Sequence, residues 1–129
     1  MVMSPSLLIT DDDRAFRETL RDVFEPRGFR TLLAADGQEA WEIVQQDEVH
    51  LVLIDMHMPR LTGLEAIARI KQVQATLPCI LISGQVDDSM RDSVDAFRVL
   101  TKPISFRLVT ETVHDALRAA YDWSIDGLR

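Results

Sequence analysis

Two periods alternate along this chain. The runs Leu7-Leu8-Ile9, Leu51-Val52-Leu53-Ile54 and Cys79-Ile80-Leu81-Ile82 carry no polar interruption, and such runs read as strands buried on both faces. They predict strands over 6–10, 49–55 and 78–83. Residues 29–34 form a less apolar strand, suited to an edge, and residues 99–102 a short one closed by Pro103. Between the strands, apolar residues recur at helical spacing. Phe16, Leu20, Val23 and Phe24 predict a helix over 14–25 that Pro26 and Gly28 end. After the Asp36-Gly37 turn, Ala40, Ile43 and Val44 predict a helix over 38–46. Leu64, Ile67 and Ile70 predict another, running from the loop at 59–63 to about residue 74. The polar stretch 87–92 leads a fourth helix in which Met90, Val94 and Phe97 share a face. Ser105 caps the fifth, whose stripe is Val109, Val113, Ala116, Leu117 and Ala120.

Five strands alternating with five helices imply an α/β domain: a doubly wound parallel sheet with helices on both faces and right-handed crossovers. Ligands of such sheets bind at the carboxyl ends of the strands, and the unusual residues of this chain lie there. The first strand ends in Asp11 and Asp12, the third in Asp55, the fourth in Ser83-Gly84 and the fifth in Lys102-Pro103. An acid closing a buried strand costs free energy unless something pairs with it. If the first and third strands are parallel neighbours, their acids converge. At an effective dielectric of 20 such charges repel by roughly 4 kcal/mol at 4 Å, and a hard divalent cation relieves this. Mg²⁺ uses few carboxylates and keeps positions open for phosphate oxygens. A site for metal alone has no need of Lys102 and Ser83; an amine and a hydroxyl beside a cation suit a tetrahedral anion. With no Gly-rich phosphate loop in the chain, the Asp55 carboxylate is itself the expected phosphoryl acceptor.

These residues resemble a known family. Leu7 to Asp13, Leu51 to Pro59 with Gly63, Leu81 to Gly84 and Leu100 to Pro103 are similar, in order, to the receiver domain of two-component response regulators (CheY-like). The resemblance covers residues 5–121 and leaves 122–129 as a tail or the start of a linker. It implies a single five-stranded sheet of order 2-1-3-4-5, flavodoxin-like. It also implies a phosphorelay role in which Asp55 takes a phosphoryl group from a sensor histidine kinase or a histidine phosphotransfer protein. By this resemblance Asp12 is the more direct Mg²⁺ ligand, Asp11 reaches the ion through water, and the His57 backbone carbonyl is the remaining protein ligand. Ser83 binds the phosphoryl group and Lys102 pairs with it. The domain is then a signalling receiver, not an enzyme in the ordinary sense. Position Val99, three before Lys102, often holds an aromatic residue in the family, and the segment from Ser83 to Lys102 is shorter here than usual. A fourth helix that is shorter, or partly unwound at its end, is the corresponding expectation.

Two other classes remain open. One is a Mg²⁺-dependent phosphatase with an aspartyl nucleophile, resembling the haloacid dehalogenases; these carry a second Asp where this chain has His57, and a cap domain for which 129 residues leave no room. The other is a receiver that binds partners without phosphorylation, for which a missing acid or Lys is the expected sign. Composition narrows the field further. A net charge of -7 argues against direct binding to nucleic acid or anionic membrane, and no run approaches membrane-spanning length. The lone Cys79 rules out an intrachain disulfide and reads as a reduced core residue of a cytoplasmic protein. The first six residues lack the basic and apolar regions of a signal peptide. Asp13 reads as a first-turn helix acid and not a ligand, and Met56 and Met58 as packing residues; His50, His114, Trp41 and Trp123 have no role assigned.

Overall fold

The computed structural model describes residues 4–85 and 95–123. Its five strands are β1 (Ser6–Thr10), β2 (Arg30–Ala34), β3 (Leu51–Asp55), β4 (Cys79–Ser83) and β5 (Arg98–Thr101). All pair in parallel in the order β2-β1-β3-β4-β5. The described helices are α1 (Arg14–Phe24), α2 (Gly37–Gln46), α3 (Gly63–Val73) and α4 (Phe106–Tyr121), with a 3₁₀ turn at Glu25–Arg27. The helix expected from residue 87 onward falls mostly outside the described residues.

The period-2 alternation of the strands divides the core into two layers. Leu7, Ile9, Leu51, Leu53, Ile80 and Ile82 face α1 and α4, where they meet Leu20, Phe24, Val113 and Leu117. Leu8, Val52, Ile54, Cys79 and Leu81 face α2 and α3, against Val44, Ala66, Ile67 and Ile70. With both faces covered, β1, β3 and β4 are buried along their whole length, as their unbroken apolar runs require. The edge strand β2 is exposed at Arg30 and half-buried through Leu33. Burial pushes the Cys79 thiol up to about 12, which keeps it protonated and inert.

Polar residues terminate the elements. Asp13, Asp36, Thr62 and Ser105 each accept a backbone N–H in the first turn of α1, α2, α3 and α4; Thr62 and Glu65 complete a capping box. Asp13 is therefore a cap, one step earlier than a first-turn acid. Gly28 ends the 3₁₀ turn at φ 92, a conformation that favours glycine. Several boundaries shift by a residue or two. Phe29 is buried but precedes β2, β3 starts at Leu51, and β5 runs from Arg98 to Thr101, leaving Lys102 just past its end. The α4 stripe also needs correction: Ala120 is exposed, and Thr112 is buried in its place. Thr112 is tolerated there because its hydroxyl donates to the Leu108 carbonyl at 2.7 Å. Leu64 is only half-buried.

His50 and Trp123 acquire partners at the amino-terminal edge of the sheet. His50 Nδ1 accepts from the Ser6 amide at 2.9 Å, and the Tyr121 hydroxyl donates to the His50 carbonyl at 2.7 Å. The Trp123 ring stacks on Tyr121 at 4.5 Å and meets His50 edge-on at 4.9 Å. The end of α4 is thus tied to the start of β1 and β3. No described helix is long and apolar enough to cross a membrane.

Candidate functional site

Register brings the acids together. Thr10 pairs with Ile54 across β1 and β3, so the next residue on each strand, Asp11 and Asp55, is delivered to the same edge and the same face. The Asp11 amide still donates to the Ala34 carbonyl at 3.1 Å, and the Met56 amide to the Ile82 carbonyl at 2.8 Å. The ladder therefore holds both acids rigidly. Exposed Asp12 joins them, and one carboxylate oxygen from each of Asp11, Asp12 and Asp55 lies within 4.8 Å of the other two. Asp11 and Asp55 are only 2% and 4% exposed.

The opposite charge comes from β5. Ser83 pairs with Thr101, and the Lys102 amide donates to the Ser83 carbonyl at 2.8 Å. That bond starts the lysine at the strand end, from which Nζ lies 3.0 Å from Asp55 Oδ1 and 3.5 Å from Asp11 Oδ2. Burial pulls the Lys102 ammonium down, but the bond to Asp55 and the charges of Asp11 and Asp55 outweigh it and hold Lys102 above its ordinary value. Asp11 is raised as well, which for a carboxylate disfavours the charged form. Burial is the largest influence and raises it; Asp55 and Asp12 raise it too, while the Asp13 amide at 2.8 Å and Lys102 lower it. One ammonium does not neutralise three carboxylates, which leaves this edge short of positive charge.

Ser83 is buried beside the site. Its hydroxyl donates to the Gln85 carbonyl at 2.7 Å and accepts from the Gln85 amide at 3.2 Å, a local turn that another acceptor is able to displace. The loop after Asp55 carries His57, whose side chain is exposed, between Met56 and Met58, which are half-buried against the α2 and α3 layer. Gly63 closes that loop through its amide, 2.8 Å from the Met56 carbonyl.

The arrangement is a strand-edge acid triad with one amine and one hydroxyl, on a parallel sheet of order 2-1-3-4-5. The sequence profile of the response regulator receiver domain matches residues 7–114. The chain belongs to this family. Response regulator RR06 of Streptococcus pneumoniae is 30% identical over 119 residues, which cover 90% of this chain and 54% of that protein. Response regulator MprA of Mycobacterium tuberculosis is 36% identical over 92 residues, covering 71% of this chain and 39% of its own. The receiver domain thus spans about half of these relatives, or less. Among solved structures, a CheY-like response regulator receiver domain protein from Methanospirillum hungatei superposes with a TM-score of 0.88 at 20% identity, over 93% of this chain and 98% of that one. Chemotaxis protein CheY4 of Vibrio cholerae gives 0.84 at 22% identity, over 89% and 100%. Those likenesses establish the CheY-like, flavodoxin-like fold.

Asp11, Asp12, Asp55 and Lys102 lie together, and Ser83 and His57 flank them on adjoining segments. Sequence reasoning missed Arg17, whose Nη1 donates to the Asp11 carbonyl at 2.7 Å and so braces the acid loop from α1. It also missed an open apolar cleft of about 520 Å³ beside Lys102, lined by Asp13, Phe16, Lys102, Pro103, Ile104 and Phe106. The exposed aromatic Phe106 just after the Lys-Pro pair was its one signal.

Proposed function

We propose that Asp55 accepts a phosphoryl group from a phosphohistidine, in a reaction that requires Mg²⁺, and that residues 5–121 are the receiver unit that performs it. The observation that carries this reading is the placing of one buried carboxylate between two other acids and an ammonium. The donor set is all hard oxygen, from Asp11, Asp12, Asp55 and the His57 carbonyl, and Lys102 compensates its charge only in part, which fits Mg²⁺. When bound, the ion supplies positive charge to the phosphoryl oxygens.

The chain's own residues do the rest. An Asp55 carboxylate oxygen attacks phosphorus, an O–P bond forms, the N–P bond to the donor imidazole breaks, and the imidazole leaves with its electron pair. Lys102, held protonated, pairs with the charge that arrives. The Ser83 hydroxyl exchanges the Gln85 carbonyl for a phosphoryl oxygen, which pulls on the chain that follows β4. The lone buried thiol fits a reducing cytoplasmic setting, and a sensor histidine kinase or histidine phosphotransfer protein is the donor.

Incubation with acetyl phosphate and Mg²⁺ tests the reading. One phosphoryl group per chain, on Asp55, supports it. Sustained turnover of the donor would point to a phosphatase, and no adduct to a binding module that does not use phosphorylation.

The metal has its own signature. A ligand of the folded state alone stabilises by RT ln(1 + [L]/Kd), about 2.7 kcal/mol at a hundredfold excess over Kd. Mg²⁺ should therefore raise the melting temperature by roughly 10 °C, and Asp12→Ala should remove most of the shift. An unchanged melting temperature in millimolar Mg²⁺ would remove the metal from the site.

The cleft beside Lys102 is where a donor protein would rest its apolar surface. Phe106 is 43% exposed, and interface aromatics of this kind carry much of a binding energy. Phe106→Ser should slow transfer from a phosphohistidine protein by roughly tenfold and leave uptake from acetyl phosphate unchanged. Equal losses with both donors would show that Phe106 supports the site itself and not the docking of a partner.

A further inference from the structure

The loop between Asp55 and α3 holds a conformation that its residue types do not favour. The Leu61 amide donates to the Pro59 carbonyl at 2.9 Å, which closes a three-residue γ-turn with Arg60 at its centre. Arg60 has φ 70, and the positive-φ γ-turn is the rare and strained form for a residue with a side chain. Something must hold it. Arg60 Nη2 lies 2.8 Å from Asp36 Oδ2, while Asp36 Oδ1 takes the Glu39 amide at 2.8 Å as the cap of α2. Asp36 is nearly buried, so the cap fixes one of its oxygens and aims the other at the loop. The next residue is equally close: a Cβ on Gly37 would stand 2.9 Å from Leu61 Cβ and 3.0 Å from Ala66 Cβ. The start of α2 and the loop after Asp55 are therefore pressed together at two consecutive positions, one ionic and one steric.

We infer that Asp36 and Arg60 are a positioning pair: their contact holds the strained loop that carries His57, and so sets the affinity of the acid triad for its cation. The inference rests on the Mg²⁺ reading above. Among the described residues, neither forms a hydrogen bond or ion pair with the triad. An ion pair with an exposed arginine adds little to stability, and the strain in the turn offsets even that. The pair's effect falls on geometry. Outer contacts that orient metal ligands commonly change metal affinity by roughly ten- to a hundredfold when removed.

The substitutions separate these effects. Arg60→Gly relieves the turn and deletes the ion pair, so the chain should melt no lower than wild type without metal. Asp36→Asn keeps an oxygen for the α2 cap and removes the charge. In the full chain, titrated with Mg²⁺ alone, each should raise Kd by roughly tenfold. The double variant should be no worse than either single one, because both break one contact, and Arg60→Lys should recover much of the affinity. Uptake from acetyl phosphate should fall in Arg60→Gly at low Mg²⁺ and return to the wild-type rate at saturating Mg²⁺. A purely structural role would lower the melting temperature and leave Kd in place. Wild-type Kd in both Arg60→Gly and Asp36→Asn, with binding still lost in Asp12→Ala, would overturn the pairing while leaving the cation site standing. Absence of Mg²⁺ binding in the wild-type chain would overturn both.

Discussion

Asp55→Asn is expected to take up no phosphoryl group from acetyl phosphate at any Mg²⁺ concentration, and to stay folded with a metal-free melting temperature no lower than wild type. The loss is total because an amide oxygen in place of a carboxylate oxygen has neither the charge nor the nucleophilicity to attack phosphorus. The stability follows from the charges around it. The Asp55 carboxylate faces Asp11 and Asp12, with ligand atoms within 4.8 Å, and Lys102 at 3.0 Å. The substitution removes two repulsions and one attraction, and the lysine side chain is 34% exposed, so solvent screens the attraction more than it does the buried Asp11 contact. The Asn oxygen can still accept from Lys102. Acid titration provides a second readout. Asp11 is raised above the usual 3.8, so in a window just above that value this group holds its proton in the folded state and not in the unfolded one, and its contribution to stability rises as pH falls through that window. Asp55→Asn takes away one of the influences that raise Asp11, and the gain on acidification should shrink. Intact mass after incubation and melting curves at stepped pH measure both effects. Phosphate found on the variant would show that another residue accepts it.

Most of the sheet could be read from the sequence because three of its strands are buried on both faces, and a short continuous apolar run bounded by turn residues fits little besides a central strand. The same simplicity hid the strand edges. His50 before β3 looked like a polar residue without a partner; its Nδ1 takes the amide of Ser6, a pairing made across 44 positions by the β1–β3 register, and no local pattern signals such a bond. Trp123 lies where helical periodicity has lapsed, yet it packs on Tyr121 and His50, because aromatic stacking needs no period. Ala120 entered the α4 stripe on spacing alone, and spacing does not say how wide a buried face is.

The candidate site was legible for a different reason. Ligand-binding residues of a doubly wound sheet sit at strand ends, and strand ends are where an acid, a hydroxyl or an amine is least expected by propensity. Asp11, Asp55, Ser83 and Lys102 stood out on that ground. What supports them did not. Arg17 reads as one more charged residue on an exposed helix face, and Asp36 as half of a turn. Both act through side-chain reach across the fold, Arg17 to the Asp11 carbonyl and Asp36 to Arg60. Only the folded backbone brings those groups within reach.

Gly63→Ala should lower the melting temperature by roughly 2–7 °C and reduce phosphoryl uptake, although alanine is the better helix former. Gly63 opens α3, and its amide reaches back to the Met56 carbonyl. A Cβ there would lie 2.6 Å from the Asp55 carbonyl oxygen, 2.7 Å from Leu81 Cδ1 and 2.9 Å from the Met56 Cα. Two of those three neighbours are backbone, anchored by the pairing of Asp55 with Ile82 and by the Met56 amide bond to the Ile82 carbonyl, and cannot turn aside as a side-chain end can. The first turn of α3 must then move outward, or the end of β3 must shift with its carboxylate. Overpacking of this kind costs about 1–3 kcal/mol, more than the ~1 kcal/mol at most that alanine gains over glycine in a helix. Adding Leu81→Ala would relieve only the side-chain contact and open a cavity, so it should not rescue the variant. The damage to function follows from position, because the displaced atoms belong to Asp55 itself and to the residue after it. A Gly63→Ala chain that melts within a degree of wild type and takes up phosphate at the wild-type rate would show that α3 is free to slide away from β3, and that this close approach does not set the position of the proposed acceptor.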